Sequence, residues 1–325
     1  MTFSQKVKSE IIEANMDTDN ELSMLAGIIL SAGSLIITKK AISFCVSSEN
    51  EKIIEYVQKL ISKEEPNTEI SVCKIRHNFK SKERTELSIE HYAGERILTK
   101  CGILELDSNG NRQINALGGE FLRIENSSKV SFLSGLFLGS GSITIPESIE
   151  LDKMASSTKS SGYHMDWVVS KNELADLICE ELTNFDIFPK KVERNESYVV
   201  YLKTSESISE LLGVFGAHKC LLEYENLRAG REMRNLINRQ ANCISANIDK
   251  SINAALEQLE AIEIIKNTIG LESLPEVLEE VALARLSNKE GSLNDIIAVL
   301  PKKISKGAVS QRFKKLIQIA KELKE

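Results

Sequence analysis

The residues best suited to chemistry lie near the C-terminus, where positive charge is concentrated. Between Pro301 and Lys321 there are seven basic residues and no acidic residue. The seven are Lys302, Lys303, Lys306, Arg312, Lys314, Lys315 and Lys321. Such a cluster can hold phosphate oxygens, and Gln311 within it can hydrogen-bond to an adenine edge. The pattern indicates a surface that binds nucleic acid without covalent chemistry.

These residues fall on a compact three-helix pattern. We predict one helix from Leu274 to Asn288, a second capped by Ser292, and a third capped by Ser305. The predicted core stripe of the third helix is Val309, Phe313, Leu316, Ile317 and Ala320. The candidate DNA-binding residues on and before this helix are Lys302, Lys303, Ser305, Lys306, Gly307, Ser310, Gln311, Arg312, Lys314 and Lys315. The pattern is typical of a helix-turn-helix, and a three-helix scaffold with a basic last helix is the alternative.

A second polar surface is predicted on a helix from Arg228 to Ser251. One face is apolar, with Met233, Leu236, Ile237, Ala241 and Ile244. The opposite face carries Arg228, Arg231, Asn235, Asn238, Arg239 and Asn242. Two interpretations stay open for this polar face: a solvated or interdomain surface, and a secondary surface for DNA phosphates and base edges.

Two similar nonamers indicate an internal duplication in the first two thirds of the chain. They are LAGIILSAG, Leu25 to Gly33, and LSGLFLGSG, Leu133 to Gly141. After each nonamer the pattern is two strands, a helix, two strands and a helix. We therefore predict an α+β N-terminal domain of two pseudo-symmetric αββαββα repeats, followed by an all-α helix-turn-helix domain. Small residues among the bulky ones predict that the two nonamer helices pack closely against each other.

The predicted boundaries follow from this pattern. The first repeat covers residues 1–105, a linker 106–126, and the second repeat 127–220. A helical linker covers 221–270 and the helix-turn-helix domain 271–325. Because residues 221–325 carry a net charge of +1 out of the total of −6, the repeats together carry −7 and are a poor candidate for a broad phosphate-binding surface.

The nonamers resemble the motif helices of single-chain LAGLIDADG homing endonucleases. In that family each helix ends in an acid followed by Gly, and the two acids hold the metal ions that cut DNA. The matching positions here are Ala32 and Ser140, neither of which can bind a divalent cation as a carboxylate does. We therefore expect no catalytic residues, no metal site and no enzyme activity. The GSGS stretch at Gly139 to Ser142 lacks the Lys of a P-loop, and we interpret it as a helix end.

The remaining composition excludes several classes of site. The six cysteines form no CxxC pair and the four histidines have no metal-ligand spacing, so we expect reduced thiols and no cofactor. The first residues lack the apolar region of a signal peptide, and no run is long enough to span a bilayer. We expect a cytoplasmic, nucleoid-associated monomer with no membrane partner.

The combination of features resembles the WhiA family of bacterial transcription regulators, in its form from low-GC Gram-positive bacteria. The most specific stretches are FLSGLFLGSGSI, FGAHKCLLEYENLRAGREMRNLINRQANC and KISKGAVSQRFKKL. The resemblance implies a nuclease-like fold that does not cut DNA. It also implies a role in cell division, chromosome segregation or sporulation. Its implied partners are double-stranded DNA and a sigma factor of RNA polymerase or another regulator.

Three functions are therefore compared. The first is a sequence-specific DNA-binding regulator that reads the major groove through Ser310, Gln311 and Arg312. The second is an active nuclease, which would need acids outside the motif such as Glu147 and Glu150. The third is an interaction scaffold whose acidic repeats bind a protein and whose DNA binding is non-specific. The sign of charge on the strand face of each repeat distinguishes a DNA surface from a protein surface.

Overall fold

A computed structural model of the chain describes residues 1–16, 19–39, 41–76, 83–108, 110–146 and 162–324. The chain divides into two compact units, Met1–Gly230 and Arg231–Glu325. The acids Glu147 and Glu150, considered above for an active nuclease, lie outside the described residues. In the described part of the chain, no helix combines the length and apolar character needed to span a bilayer.

The first unit contains the duplication. A leading helix, α1 (Phe3–Ala14), precedes the first repeat. The elements of the first repeat are α2 (Glu21–Ala32), β1 (Gly33–Ile37), β2 (Ile42–Ser48), α3 (Glu51–Glu64), β3 (Ile70–Ile75), β4 (Arg84–Ile89) and α4 (His91–Lys100). Those of the second are α5 (Asn126–Ser140), β7 (Gly141–Thr144), β8 (His164–Val169), α6 (Asn172–Thr183), β9 (Lys190–Arg194), β10 (Ser197–Leu202) and α7 (Ser205–Val214). The predicted αββαββα order is confirmed for both repeats.

Between the repeats, the segment expected to be a linker carries structure of its own. A short hairpin pairs β5 (Leu104–Leu106) with β6 (Arg112–Ile114), and a 3₁₀ turn follows at Glu120–Arg123. Asn115 Nδ2 donates to the carbonyl of Gly118 at 3.0 Å, which closes the turn between them.

The two sheets have the same topology. Their strand orders are β1-β2-β4-β3 and β7-β8-β10-β9, and all neighbouring strands are antiparallel. Alternate residues of each central strand point to one core, as period-two side-chain geometry requires. The first sheet contributes Phe44, Val46 and Leu87 to it, and the second contributes Trp167 and Val200.

The nonamer helices α2 and α5 pack against each other at the centre of this core. A methyl group added at Gly27 would overlap the carbonyl oxygen of Phe132, and one added at Gly135 would overlap that of Met24. Both helices are buried on almost every side, because the partner helix and the sheets cover them. The predicted close packing of the two nonamers is confirmed.

A 51-residue helix, α8 (His218–Thr268), begins in the first unit and continues through the second. Its first turn is capped by Glu10 on α1, whose carboxylate accepts from the backbone N–H groups of Lys219 and Cys220 at 2.6 and 2.8 Å. Burial raises the pKa of Glu10, but these hydrogen bonds, a further one from the Cys220 thiol and the charge of Lys219 together lower it more, so the net shift is downward. After a 3₁₀ turn at Leu271–Ser273, three helices follow: α9 (Glu276–Ser287), α10 (Leu293–Val299) and α11 (Lys306–Glu322).

Candidate nucleic-acid interface

The last helix, α11, is held by an apolar stripe that packs into the second unit. Its residues Val309, Phe313, Leu316 and Ala320 are buried, and Ile317 is partly buried against the same cluster. Both predicted caps are present. Ser292 forms a capping box with Asp295 at the start of α10, and Ser305 Oγ accepts from the N–H of Ala308 at 3.2 Å. The caps fix where each helix starts and so fix the direction of α11.

The side of α11 opposite its buried stripe is exposed and basic. At 100° per residue this side is centred on Gln311 and Gln318, with Gly307, Lys314 and Lys315 beside them. Lys302, Lys303, Ser305 and Lys306 lie exposed just before it or in its first turn. Within the described part of the chain, no carboxylate pairs with any of the five lysines Lys302, Lys303, Lys306, Lys314 and Lys315. Their charge is therefore free to meet phosphates.

Two of the residues expected to read bases lie at the edges of this surface. Ser310 and Arg312 are partly buried on opposite flanks of the exposed face. The guanidinium of Arg312 donates to the carbonyl of Val277 on α9, in a long hydrogen bond of 3.4 Å. The geometry favours Gln311 as the base-reading side chain and gives Arg312 a contact that also braces α11 against α9.

Arg285 on α9 supports the interface and was not singled out from the sequence. It is only 2% exposed, and its guanidinium donates to Gln258 Oε1 at 3.0 Å and to the carbonyl of Gly291 at 2.6 Å. It also lies over the ring of Phe313 at 5.3 Å. Burial lowers the pKa of Arg285. One side chain therefore joins α8, the turn before α10 and the core of α11; in the sequence it is an ordinary arginine on a predicted helix.

The residues predicted for the polar face of α8 fall in both units. Arg228 belongs to the first unit, where its guanidinium pairs with Glu206 at 2.6 Å and Glu225 at 3.5 Å. Because its charge is paired there, Arg228 is a weaker candidate for a phosphate contact than the exposed residues of this face. Asn235, Asn238, Arg239 and Asn242 are exposed, and Arg231 is partly buried.

The ends of the two nonamer helices come together, as the endonuclease resemblance requires. A methyl group added at Gly139 would lie 3.1 Å from the Cβ of Ala32. Ser140 is occupied within its own helix, where its hydroxyl donates to the carbonyl of Leu136 at 3.2 Å. Neither Ala32 nor Ser140 brings a carboxylate to this place. Across the described residues, no group of three or more His, Cys, Asp or Glu side chains is arranged to hold a metal ion.

A lysine lies where the last turn of α5 exposes its carbonyls. Lys8 Nζ, from α1, donates to the carbonyl of Leu138 at 3.0 Å and lies 5.7 Å from the ring of Phe137. Burial lowers the pKa of Lys8 to about 8, although Asp166 and Glu49 act in the opposite direction. The amino group of Lys8 therefore lies at the end of α5, the helix that ends in an acid in the LAGLIDADG endonucleases.

The outer faces of the two sheets differ in charge. The strand register places Lys190 and Arg194 on the outer face of the second sheet, Lys190 opposite Tyr201 and Arg194 opposite Ser197. The ring of Tyr201 lies 4.9 Å from the ammonium of Lys203. The acid of that face, Asp166, is held by Ser142 at 2.5 Å and by His164 at 3.1 Å. The described part of the second outer face is therefore basic.

The corresponding face of the first sheet is neutral. Its register brings Glu86 beside Ser47 and Cys73, with Arg84 two residues away on the same strand. The guanidinium of Arg84 donates to the carbonyl of Ser47 at 3.1 Å, so its charge lies against the sheet. The two repeats share a fold and present different surfaces.

Comparison with known proteins adds the family. Residues 22–89 and 129–234 match the WhiA LAGLIDADG-like domain, and residues 237–320 match the WhiA C-terminal HTH domain. The chain belongs to the WhiA family. The two matches meet between residues 234 and 237 on α8, close to the division between the two compact units. The leading helix α1, with Lys8, lies before the matched residues.

WhiA relatives match along the whole length. A protein of Clostridium acetobutylicum described as "Probable cell division protein WhiA" is 33% identical over 100% of this chain and 99% of its own. A relative with the same description from Clostridium botulinum strain Eklund 17B is 31% identical, with the same coverage. The crystal structure of full-length DUF199/WhiA from Thermatoga maritima superposes with a TM-score of 0.58 at 26% identity, covering 99% of both chains.

Proposed function

We propose that this protein is a sequence-specific DNA-binding regulator that acts in cell division and whose nuclease-like unit does not cleave DNA. The observation that carries the proposal is the exposed surface on and just before α11, where five lysines have no carboxylate partner in the described part of the chain. The description of its relatives as cell division proteins supports the biological role. Chromosome segregation or sporulation, which the family resemblance implies, belongs to the same proposal.

In this proposal α11 enters the major groove of double-stranded DNA. Gln311, at the centre of the exposed face, bonds a base edge, and Lys314 and Lys315 bond phosphates on either side. Lys302, Lys303 and Lys306 hold the backbone at the start of the helix, where the N-terminal helix dipole also favours phosphate. A protein bound in this way is associated with the nucleoid in the cytoplasm, and a sigma factor or another regulator is its proposed protein partner.

The absence of nuclease activity is argued from the residues that occupy the motif ends. Ala32 and Ser140 supply no carboxylate, and the ammonium of Lys8 at the end of α5 repels a divalent cation. Both features oppose the two-metal clamp with which LAGLIDADG endonucleases cut DNA. DNA incubated with the full chain and Mg²⁺ is therefore expected to stay intact.

The outer face of the second sheet is a candidate for a second DNA-binding surface. Its charge favours DNA over a protein as the ligand of the repeats. The outer face of the second sheet carries Lys190, Arg194 and Lys203 around one hydrogen-bonded acid. A basic strand face suits the phosphate backbone of DNA. The scaffold hypothesis instead expects an acidic face that binds a protein. The neutral face of the first sheet favours neither interpretation.

The proposed function is tested with the full chain and labelled genomic fragments in the presence of Mg²⁺. Replacing Gln311→Ala and Lys314→Ala together should lower affinity for a target fragment by a factor on the order of ten to a hundred. Lys324→Ala is the matched control, because that lysine already pairs with Glu260 at 2.9 Å in the same unit. Unchanged affinity in the double variant, or cleavage of the DNA, would contradict the proposal.

A further inference from the structure

The apolar face of α8 is exposed along much of the second unit. The side chains of Met233, Ile237, Ile244, Ile248 and Ile252 are between 52% and 60% exposed. With Ala241 they form one stripe, which we call the α8 stripe, about 28 Å long. An exposed apolar stripe of this length marks an interface in a protein that remains in solution.

The same stripe is covered where the helix continues. Ala255 is 6% exposed, and Ile262 and Ile265 belong to the core that α9, α10 and α11 share. On the side of Ala255 burial therefore begins one turn after Ile252, although the adjacent Leu256 is still 59% exposed. Ile262 and Ile265 are used for folding, whereas the residues of the α8 stripe are left for another surface.

The spacing of the residues in the α8 stripe indicates that its partner is an identical stripe. Its residues lie 4, 4, 3, 4 and 4 positions apart, a series that reads the same in both directions. When two copies run antiparallel, Met233 faces Ile252, Ile237 faces Ile248, and Ala241 faces Ile244. Each layer then holds an apolar pair, and the contact is isologous, as in a two-fold dimer.

The flanking charges are complementary in that same arrangement. Arg234 lies beside one end of the α8 stripe and Asp249 beside the other, and neither has an ion-pair partner within the described residues. In the antiparallel pair, Arg234 of one copy comes within about 3 Å along the axis of the level of Asp249 of the other. A parallel pair would place the two residues at opposite ends.

We propose that the α8 stripe is a dimer interface whose occupant is the same stripe of a second copy, running antiparallel. This differs from the monomer expected from the sequence. The helices repeat their contacts every 11 residues, from Met233 to Ile244 and from Ile237 to Ile248, which suits nearly straight helices. A dimer presents two copies of α11, so DNA with two half-sites would be held by both.

The interface is tested without DNA, so that its failure is separate from failure of the proposed function. The full chain is measured by sedimentation across a concentration series, and the dimer should have twice the chain mass of 36.2 kDa. Ile244→Glu with Ile248→Glu should shift the chain to the monomer, because each charge would be buried in the contact. Ala246→Glu with Asn253→Glu, on the exposed opposite face, is the control and should leave the dimer intact.

Direction is tested by cross-linking after Cys73→Ser and Cys243→Ser remove the exposed thiols. A mixture of Met233→Cys chains and Ile252→Cys chains should cross-link with a short bis-maleimide, and Met233→Cys chains alone should not. Because the substituted side chains are exposed, unchanged thermal unfolding of each variant shows that the fold is kept. A wild-type chain that stays monomeric, a dimer that survives Ile244→Glu with Ile248→Glu, or cross-linking of Met233→Cys chains alone would overturn the proposal.

Discussion

Two regions of the molecule differ in how their positive charges are paired. Around the first repeat, basic side chains pair with carboxylates across elements, as Lys63 does with Glu21 at 2.5 Å and Arg112 with Glu95 at 3.0 Å. On and before α11 five lysines have no such partner among the described residues. Paired charges at a surface add little to stability but leave a neutral face. Unpaired charges of one sign create a field that attracts a polyanion, which supports the proposal that DNA is bound at α11.

At the duplicated helices, the residues that allow close packing are present, whereas the acids that would bind metal ions are replaced. Gly27 and Gly135 keep α2 and α5 in close contact, whereas Ala32 and Ser140 bring no acid to the helix ends. The first unit thus has a LAGLIDADG-like fold in which the two motif helices bring no carboxylate to their ends. The largest effects expected from substitutions at this contact are on stability.

The largest effect is expected at the α2–α5 contact. Gly27→Ala places a methyl group against the backbone of Phe132, which cannot move without separating the helices. The free energy of unfolding should fall by about 3 kcal/mol, measured by urea denaturation. Gly213→Ala in helix α7 is the control, because a methyl group there would meet Leu221 at an ordinary contact distance of 3.8 Å, and it should change stability little. Equal stability of both variants would show that the two helices pack less tightly than described.

A smaller effect is expected at Arg285, which connects α8, the turn before α10 and α11 within the second unit. Arg285→Ala removes the donors to the buried side-chain oxygen of Gln258 and to the partly buried carbonyl of Gly291. Stability of the second unit should fall by about 2 kcal/mol, and hydrogen exchange should rise in α9 to α11 while the first unit is unaffected. The exposed Lys289→Ala, four residues away, should leave exchange unchanged. Equal hydrogen exchange in the two variants would show that Arg285 does not stabilise the second unit.

Much of this architecture is predictable from residue patterns. Helical and strand periodicities show the duplicated αββαββα order, and Ser292 and Ser305 mark the starts of α10 and α11 because their hydroxyls cap free N–H groups. The positions of Lys8 and Arg285 are not predictable in this way. Each becomes important only through burial against distant elements, and burial depends on the tertiary fold. Likewise, periodicity indicates that α8 has an apolar face but not that it stays exposed.

The smallest effect is a pH dependence at Lys8. The unfolded chain keeps the lysine proton to its ordinary pKa of 10.5, whereas the folded chain releases it near 8 because the ammonium is buried. The unfolded state thus binds more protons between these values, and folding stability gains as the pH rises through them. Relative to Lys8→Met, the wild-type protein should gain on the order of 1 kcal/mol, or a few degrees in Tm, between pH 7 and pH 10. A Tm difference that does not change with pH would show that Lys8 is as solvated as a surface lysine.

The measurement that tests the central claim most directly is the salt dependence of DNA binding by the full chain and two charge variants. Lys314→Ala with Lys315→Ala should lower the slope of log affinity against log salt by about 2, since each lysine releases about one counterion. Lys190→Ala with Arg194→Ala, on the outer face of the second sheet, should lower it by less than about 1. If Lys190→Ala with Arg194→Ala lowers the slope more than Lys314→Ala with Lys315→Ala does, the main DNA surface lies in the first unit and the account given for α11 is wrong.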